Sequence, residues 1–210
     1  MDSHSPAQQI SSWLSQFSQA LENTDIDSAL SMFDDECYWR DIVSFTWNIK
    51  TMESKEEIKA MLESQLSKVK PHSWEIEGTA TSANGIIEAQ FTFQSAVSDG
   101  KGYIRLKDNK CWTLLTTMSS LKGFEEKSGH NRSLGAKQIA VKNRKSWLEQ
   151  KSQEKSELGY SKQPYCVIIG GGQGGIALAT RLKRLDVPTI IIEKNESAGD
   201  SWRNRYNSLT

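Results

Sequence analysis

Along the first third of the chain apolar residues recur with the period of a helix, and then the period shortens to that of a strand. In "PAQQISSWLSQFSQALEN", Ile10, Trp13, Leu14, Phe17 and Leu21 fall on one face of an amphipathic helix. "TDIDSALSMF" repeats the pattern with Ile26, Ala29, Leu30 and Phe33, and Thr24 is the expected N-cap. "SKEEIKAMLESQL" opens with Ser54 and Glu57 in capping-box spacing and aligns Ile58, Met61, Leu62 and Leu66. From "IIEAQFTFQS" onward the period is two. Ile87, Ala89, Phe91 and Phe93 share one strand face, and Glu88, Gln90, Thr92 and Gln94 share the other. "GYIRLKD" and "CWTLLTTM" behave alike, and "CYWRDIVSFTWNIK" also reads as extended, being rich in aromatic and β-branched residues. Turns are expected at Asn84-Gly85, Asp99-Gly100 and Asp108-Asn109, giving an antiparallel meander.

Three helices and an antiparallel sheet within residues 1–125 make an α+β domain. Through "CYWRDIVSFTWNIKTMESKEEI" it resembles the SnoaL-like, or nuclear-transport-factor-like, cone, in the version that precedes flavin monooxygenase domains. That resemblance implies a curved sheet, and a pocket that some relatives use for acid/base chemistry. Arg40 and Asp41 would be the pocket's charged residues, with Trp39 and Trp47 lining it. Adjacent strand residues point to opposite faces, however, so Arg40 and Asp41 cannot form one catalytic pair. The expectation is a surface charge, a core aromatic pair and a non-catalytic domain.

Residues 126–163 lose periodicity. They read as a basic polar linker with one short helix around "KNRKSWLEQKSQ", pinned by Trp147. After it comes "YCVIIGGGQGGIALATRLKRLDVPTIIIEKN". "CVII" is an apolar run of the kind found in buried parallel strands. Gly170, Gly172 and Gly175 form G-x-G-x-x-G, in which the glycines permit a tight turn, close approach to a pyrophosphate, and close packing of the next helix. "GIALATRLKRL" supplies that helix, whose N-terminus favours phosphate. "TIIIE" is a second buried strand ending at Glu193, placed to bind a ribose 2′-hydroxyl and to repel a 2′-phosphate. Gly170, Gly171, Gly172, Gln173, Gly174, Gly175 and Glu193 are thus candidate dinucleotide contacts, which leaves FAD or NAD as the ligand.

Composition narrows the classes. Hydrophobic residues make up 37% and charged residues 25%, and Lys+Arg 26 balances Asp+Glu 26, so nothing draws the chain to nucleic acid or an anionic surface. The N-terminus lacks a signal-peptide pattern, and no apolar run approaches the ~20 residues of a membrane span. Cys37, Cys111 and Cys166 are widely spaced, as expected of buried thiols in a reducing compartment, so a cytoplasmic location is expected. His4, His72 and His130 are scattered, and no metal site is expected.

Beyond Glu193, "EKNESAGDSWRNRYNSLT" places Gly199, Ser201 and Trp202 a short distance past the acid. Residues 164–210 resemble flavin-containing monooxygenases, including the YUCCA-like and Baeyer–Villiger groups, in which a Gly-Gly-x-Trp or Gly-Asp-x-Trp element packs along the flavin; "GFEEKSGH" also looks like this family's linker. The resemblance implies an incomplete Rossmann-type β-α-β unit contacting FAD through the glycines, Glu193, Ser201 and Trp202, with Arg203 and Arg205 in a "WRxRY" run. It implies reduction of FAD by NADPH, capture of oxygen as a flavin C4a-(hydro)peroxide, and insertion of one oxygen atom into a small organic substrate. A second glycine-rich motif for NADPH and the family's histidine-containing signature do not occur in these 210 residues. The chain therefore reads as an N-terminal fragment, expected neither to hold FAD tightly nor to turn over. The alternatives are another two-dinucleotide flavoprotein, such as a disulfide reductase, for which the expected cysteine pair is missing, and a non-enzymatic module whose cone domain forms a homodimer or binds a small apolar ligand.

Overall fold

Ser5 starts the first helix with a reciprocal cap: its Oγ accepts the Gln8 backbone N–H, and the Gln8 side chain accepts that of Ser5. Helix α1, Pro6–Glu22, then buries the face expected of it, Ile10, Trp13, Leu14, Phe17 and Leu21. The computed structural model describes residues 5–132, 145–197 and 199–204. It falls into two units, Met1–Phe124 and Glu125–Thr210.

In the first unit α2, Ile26–Ser31, is capped by Asp25, whose side chain accepts the Ser28 N–H. The expected cap, Thr24, instead takes a left-handed turn at φ 59, and Phe33 opens a strand rather than closing the helix. Helix α3, Lys55–Val69, begins at Ser54, whose Oγ accepts the Glu57 N–H, while the Glu57 carboxylate turns to the N–H of Glu53.

Six strands among the described residues form one sheet in the order β2-β1-β6-β5-β4-β3: β1 Phe33–Ile42, β2 Ile49–Met52, β3 His72–Ala83, β4 Ile86–Gln94, β5 Ser98–Lys107 and β6 Lys110–Leu121. β3 to β6 are the antiparallel meander, but β1 joins β6 in parallel, so the sheet is mixed rather than antiparallel. Asn84-Gly85 and Asp108-Asn109 each carry two positive φ angles, the condition of a type I′ hairpin turn. Asp99-Gly100 is no turn. It lies inside β5, and the chain reverses at 95–97, where the Ser95 and Ser98 hydroxyls bond each other. Gly100 is small for another reason: it faces Phe93, and a Cβ there would lie 2.3 Å from that ring.

Between the helices and the sheet sits an aromatic core. Phe17 meets Trp13, Phe33, Trp39 and Trp74, and Trp74 stacks on Phe93 at 4.6 Å. Trp39 belongs to this core with no exposed surface, but Trp47 is 60% exposed, so the two are not a core pair. Burial pushes the thiols of Cys37 and Cys111 up, whereas Cys166 is half-buried, less than expected.

In the second unit α4 spans Trp147–Glu157, and residues 142–144 of its expected start lie outside the described residues. Trp147, expected to pin the linker, buries little of its surface. It is 70% exposed, with the Lys151 ammonium 4.7 Å above its ring. Strands β7, Cys166–Ile169, and β8, Thr189–Ile192, pair in parallel, linked through helix α5, Gln173–Arg184. The expected burial of both strands is not met: Ile168 is buried, but Ile169 and Ile192 are 79% and 54% exposed. Helix α5 packs on this pair, and Gly159 lies against Ile190 of β8. A short helix α6, Asp200–Arg203, follows.

Candidate functional site

Pairing of the two parallel strands carries one step past β7, because the Gly170 N–H donates to the Ile192 carbonyl at 2.8 Å. Gly170 then takes φ +101, a conformation that a side chain strongly disfavours. The chain turns there, and Gly172 becomes the N-cap of α5 with no side chain capping the helix. Gly175 lies against the turn it follows: a Cβ would sit 2.0 Å from the Gly170 carbonyl oxygen. Gly172 and Gly174 are the opposite case. A Cβ on Gly174 would meet nothing within 4 Å, and one on Gly172 only the Ser201 Oγ at 3.8 Å. The loop is therefore tight on its inner side and open over the first turn of α5, where amide N–H groups concentrate partial positive charge. Gln173 is exposed at the start of that turn.

Glu193 follows β8 directly, so strand pairing brings it beside the loop. The Gly171 N–H donates to its Oε2, and its Oε1 accepts the Asn195 backbone N–H at 3.0 Å and the Asn195 Nδ2 at 2.8 Å. The backbone N–H of Asn195 foremost, then that of Gly171, hold the Glu193 carboxyl below the usual glutamate range, so it is ionised at neutral pH. Gly171 must be small for this contact, since a Cβ there would lie 2.9 Å from Oε2.

Ser201 and Trp202 lie on α6, entered through Gly199 at φ 88. Asp200 fastens that turn by accepting the Ser197 N–H at 2.9 Å and pairing with Arg203. The structure thus gathers the glycine loop, Glu193 and Ser201 at one end of the β7–α5–β8 unit. Trp202, 37% exposed, packs beside Gly199, and Arg205 lies outside the described residues. Asn195 was not singled out from the sequence. Its signal was an asparagine in "EKNES" just past a strand, where such side chains bond to nearby backbone.

The other candidate group is Asp41, and it is not a surface charge. It is fully buried, and its oxygens accept from the Ser44 hydroxyl, from the N–H groups of Phe45 and Thr46, from the Thr46 hydroxyl and from Thr116 Oγ1 at 2.8 Å. Trp39 Nε1 in turn donates to Thr116 Oγ1 at 2.9 Å. Arg40 points to the opposite face, as expected, where it bonds Thr51. With its oxygens taken up by the chain, Asp41 organises the loop 43–48, in which Val43 and Trp47 both hold positive φ. Among the described residues no three metal-ligating side chains gather, and no helix is long and apolar enough to cross a membrane.

No family model matches the chain. Over 43 residues it is 44% identical to a protein of Bacillus subtilis named uncharacterized oxidoreductase CzcO, a match covering 20% of this chain and 12% of that one. A protein of the same name from Bacillus velezensis matches to the same extent. The chain thus spans about an eighth of the length of these curated relatives. Among solved structures it is similar to an NTF2-like protein of unknown function from Cytophaga hutchinsonii, at 10% identity and TM-score 0.37, over 57% of this chain and 95% of that one. A second, from Burkholderia xenovorans, has 12% identity and TM-score 0.39, over 53% and 84%.

Proposed function

We propose that residues 164–204 hold the adenosine diphosphate half of FAD in an FAD- and NADPH-dependent monooxygenase, with NADPH bound elsewhere than in these residues. The observation that carries this reading is the open N-terminus of α5 with the ionised Glu193 fixed beside it. The residues fit such a group. A Cβ on Gly172 would enter the open space beside the loop, the uncapped amides of α5 could take up a diphosphate there, and Glu193 beside them could serve as acceptor for a ribose hydroxyl. The short match to proteins named as oxidoreductases supports the general class.

In this reading the first turn of α5 binds the diphosphate through backbone N–H groups, and Gly172 lets the backbone approach it. Glu193 accepts the ribose hydroxyl, and Ser201 and Trp202 flank the cofactor. FAD, when bound, supplies the redox chemistry. Asp41 takes no catalytic part in this reading, because its carboxyl group is enclosed by hydrogen bonds from its own chain.

Substitution at Gly172 tests the proposal, since its φ of -74 suits any residue and a side chain there would fill the ligand space without striking the protein. Purified chain is titrated with FAD, following flavin fluorescence. Saturable binding by the unsubstituted chain, weaker than about 1 µM on the general affinity scale, and its loss in Gly172→Val is the expected result. Equal binding by both chains, or none by either, contradicts the proposal.

A further inference from the structure

Glu193 is the acid that the reading above assigns to the ribose, yet the Gly171 N–H, the Asn195 N–H and the Asn195 amide already bond it, and the Lys194 N–H faces it as well. Oε1 accepts twice from Asn195, through the backbone N–H at 3.0 Å and through Nδ2 at 2.8 Å. A carboxylate oxygen offers about two lone-pair directions, so Oε1 is saturated. Oε2 accepts the Gly171 N–H and retains room for one more donor. The carboxylate can neither rotate nor receive a ligand through Oε1 without breaking the bonds to Asn195.

Resting on that reading, we infer that Asn195 is a positioning residue, which clamps Glu193 so that one oxygen alone, Oε2, accepts a single ribose hydroxyl of an adenine dinucleotide. Three features support it. The Asn195 side chain and backbone converge on one oxygen, as an orienting clamp requires and a chance surface contact does not. Gly171, on the other side, has no Cβ to obstruct the approach of Oε2. The groups that face Glu193 among the described residues are the N–H groups of Gly171, Lys194 and Asn195 and the Asn195 amide, with no charged side chain setting its ionisation. Removing a donor therefore has no nearby cation to offset it, and the carboxyl must become easier to protonate. An asparagine that only stabilised the turn would shift that protonation too, but its loss would leave ADP-ribose affinity at neutral pH unchanged.

The test uses the full chain and two measurements. The first follows the Glu193 side-chain carbon by NMR through an acid titration without ligand. The second measures affinity for ADP-ribose at neutral pH and at about pH 5, near the ordinary glutamate range. Asn195→Ala removes the donor, Asn195→Asp replaces it by an acceptor of the same shape, and Asn195→Ser restores a donor. The expected result is a Glu193 midpoint that rises in Asn195→Ala, rises further in Asn195→Asp and falls back in Asn195→Ser. ADP-ribose should bind the Ala and Asp variants roughly three- to tenfold more weakly, as loss of one hydrogen bond implies, with the larger deficit in acid. The NMR spectrum reports in the same experiment that each variant is folded. A midpoint unmoved in Asn195→Asp, or an affinity at neutral pH unchanged in Asn195→Ala, with ADP-ribose still bound by the unsubstituted chain, overturns this inference alone. Failure of the unsubstituted chain to bind ADP-ribose overturns the dinucleotide reading and this inference with it.

Discussion

A polar group with no water in reach has to be satisfied by the chain itself, and Asp41 shows what that demands. Its oxygens tie the end of β1 to the loop 43–48 and to Thr116 on β6. Asp41→Ala would strand the N–H groups of Phe45 and Thr46 and the Thr116 hydroxyl in the interior. Each unsatisfied donor costs about 1–3 kcal/mol. Urea unfolding followed by tryptophan fluorescence should therefore show a loss on the order of 3 kcal/mol or more. A change under about 1 kcal/mol would mean the network contributes little. The glycine loop makes a paired prediction at the same scale. Gly175→Ala forces a methyl group into the Gly170 carbonyl oxygen and should unfold the loop, whereas Gly174→Ala meets open space. FAD binding should survive Gly174→Ala and fail in Gly175→Ala. Loss in both would indicate that the whole loop, rather than the close approach at Gly175, is sensitive.

At the scale of elements, side-chain volume is traded across paired strands. Gly102 and Gly100 on β5 lie opposite Phe91 and Phe93 on β4, and the two rings lie across the glycines. A Cβ at Gly102 would stand 2.1 Å from the Phe91 ring and 2.3 Å from the Leu115 carbonyl oxygen. A ring can shift, but a paired strand cannot, so Gly102→Ala should destabilise by about 1–3 kcal/mol. Gly85→Ala, where a Cβ would meet nothing within 4 Å but φ is +77, should cost less, on the order of 1 kcal/mol. Comparable unfolding midpoints for the two variants would sink the account. The same elements show what the sequence discloses. The α1 face, the β4 alternation, two of three turns and the order β7–α5–β8 are all written in local periodicity and turn chemistry, and so could be read. β3 could not: "HSWEIEGTATSA" buries only Trp74, sits at the sheet edge and kinks at Gly78 with φ +81, so its alternation is weak. The parallel pairing of β1 with β6 was also hidden, because a period of two reports which face a residue takes and not which way its neighbour runs. At the site, the glycines and Glu193 announced themselves by spacing. The role of Asn195 depends on a side-chain rotation that no spacing encodes.

For the whole molecule, the two units differ sharply in what they bury. The first has an extensive apolar and aromatic core, while Ile168 is the one buried hydrophobic residue described in the second. Burial of apolar area dominates stability, so local opening should be far easier around β7 and β8 than in β4, β5 and β6. Amide hydrogen exchange on the full chain should show protection in the meander exceeding that in β7 and β8 by about a thousandfold or more, equivalent to roughly 4 kcal/mol. Ligand binding then gives the contrast its functional meaning. A ligand that binds only the folded second unit stabilises it by about 2.7 kcal/mol at a hundredfold excess over its dissociation constant. FAD at that excess should slow exchange in β7, β8 and the first turn of α5 by about a hundredfold while leaving the meander unchanged. Protection gained instead in β4 to β6 would move the ligand site to the first unit and displace the glycine loop from the proposal.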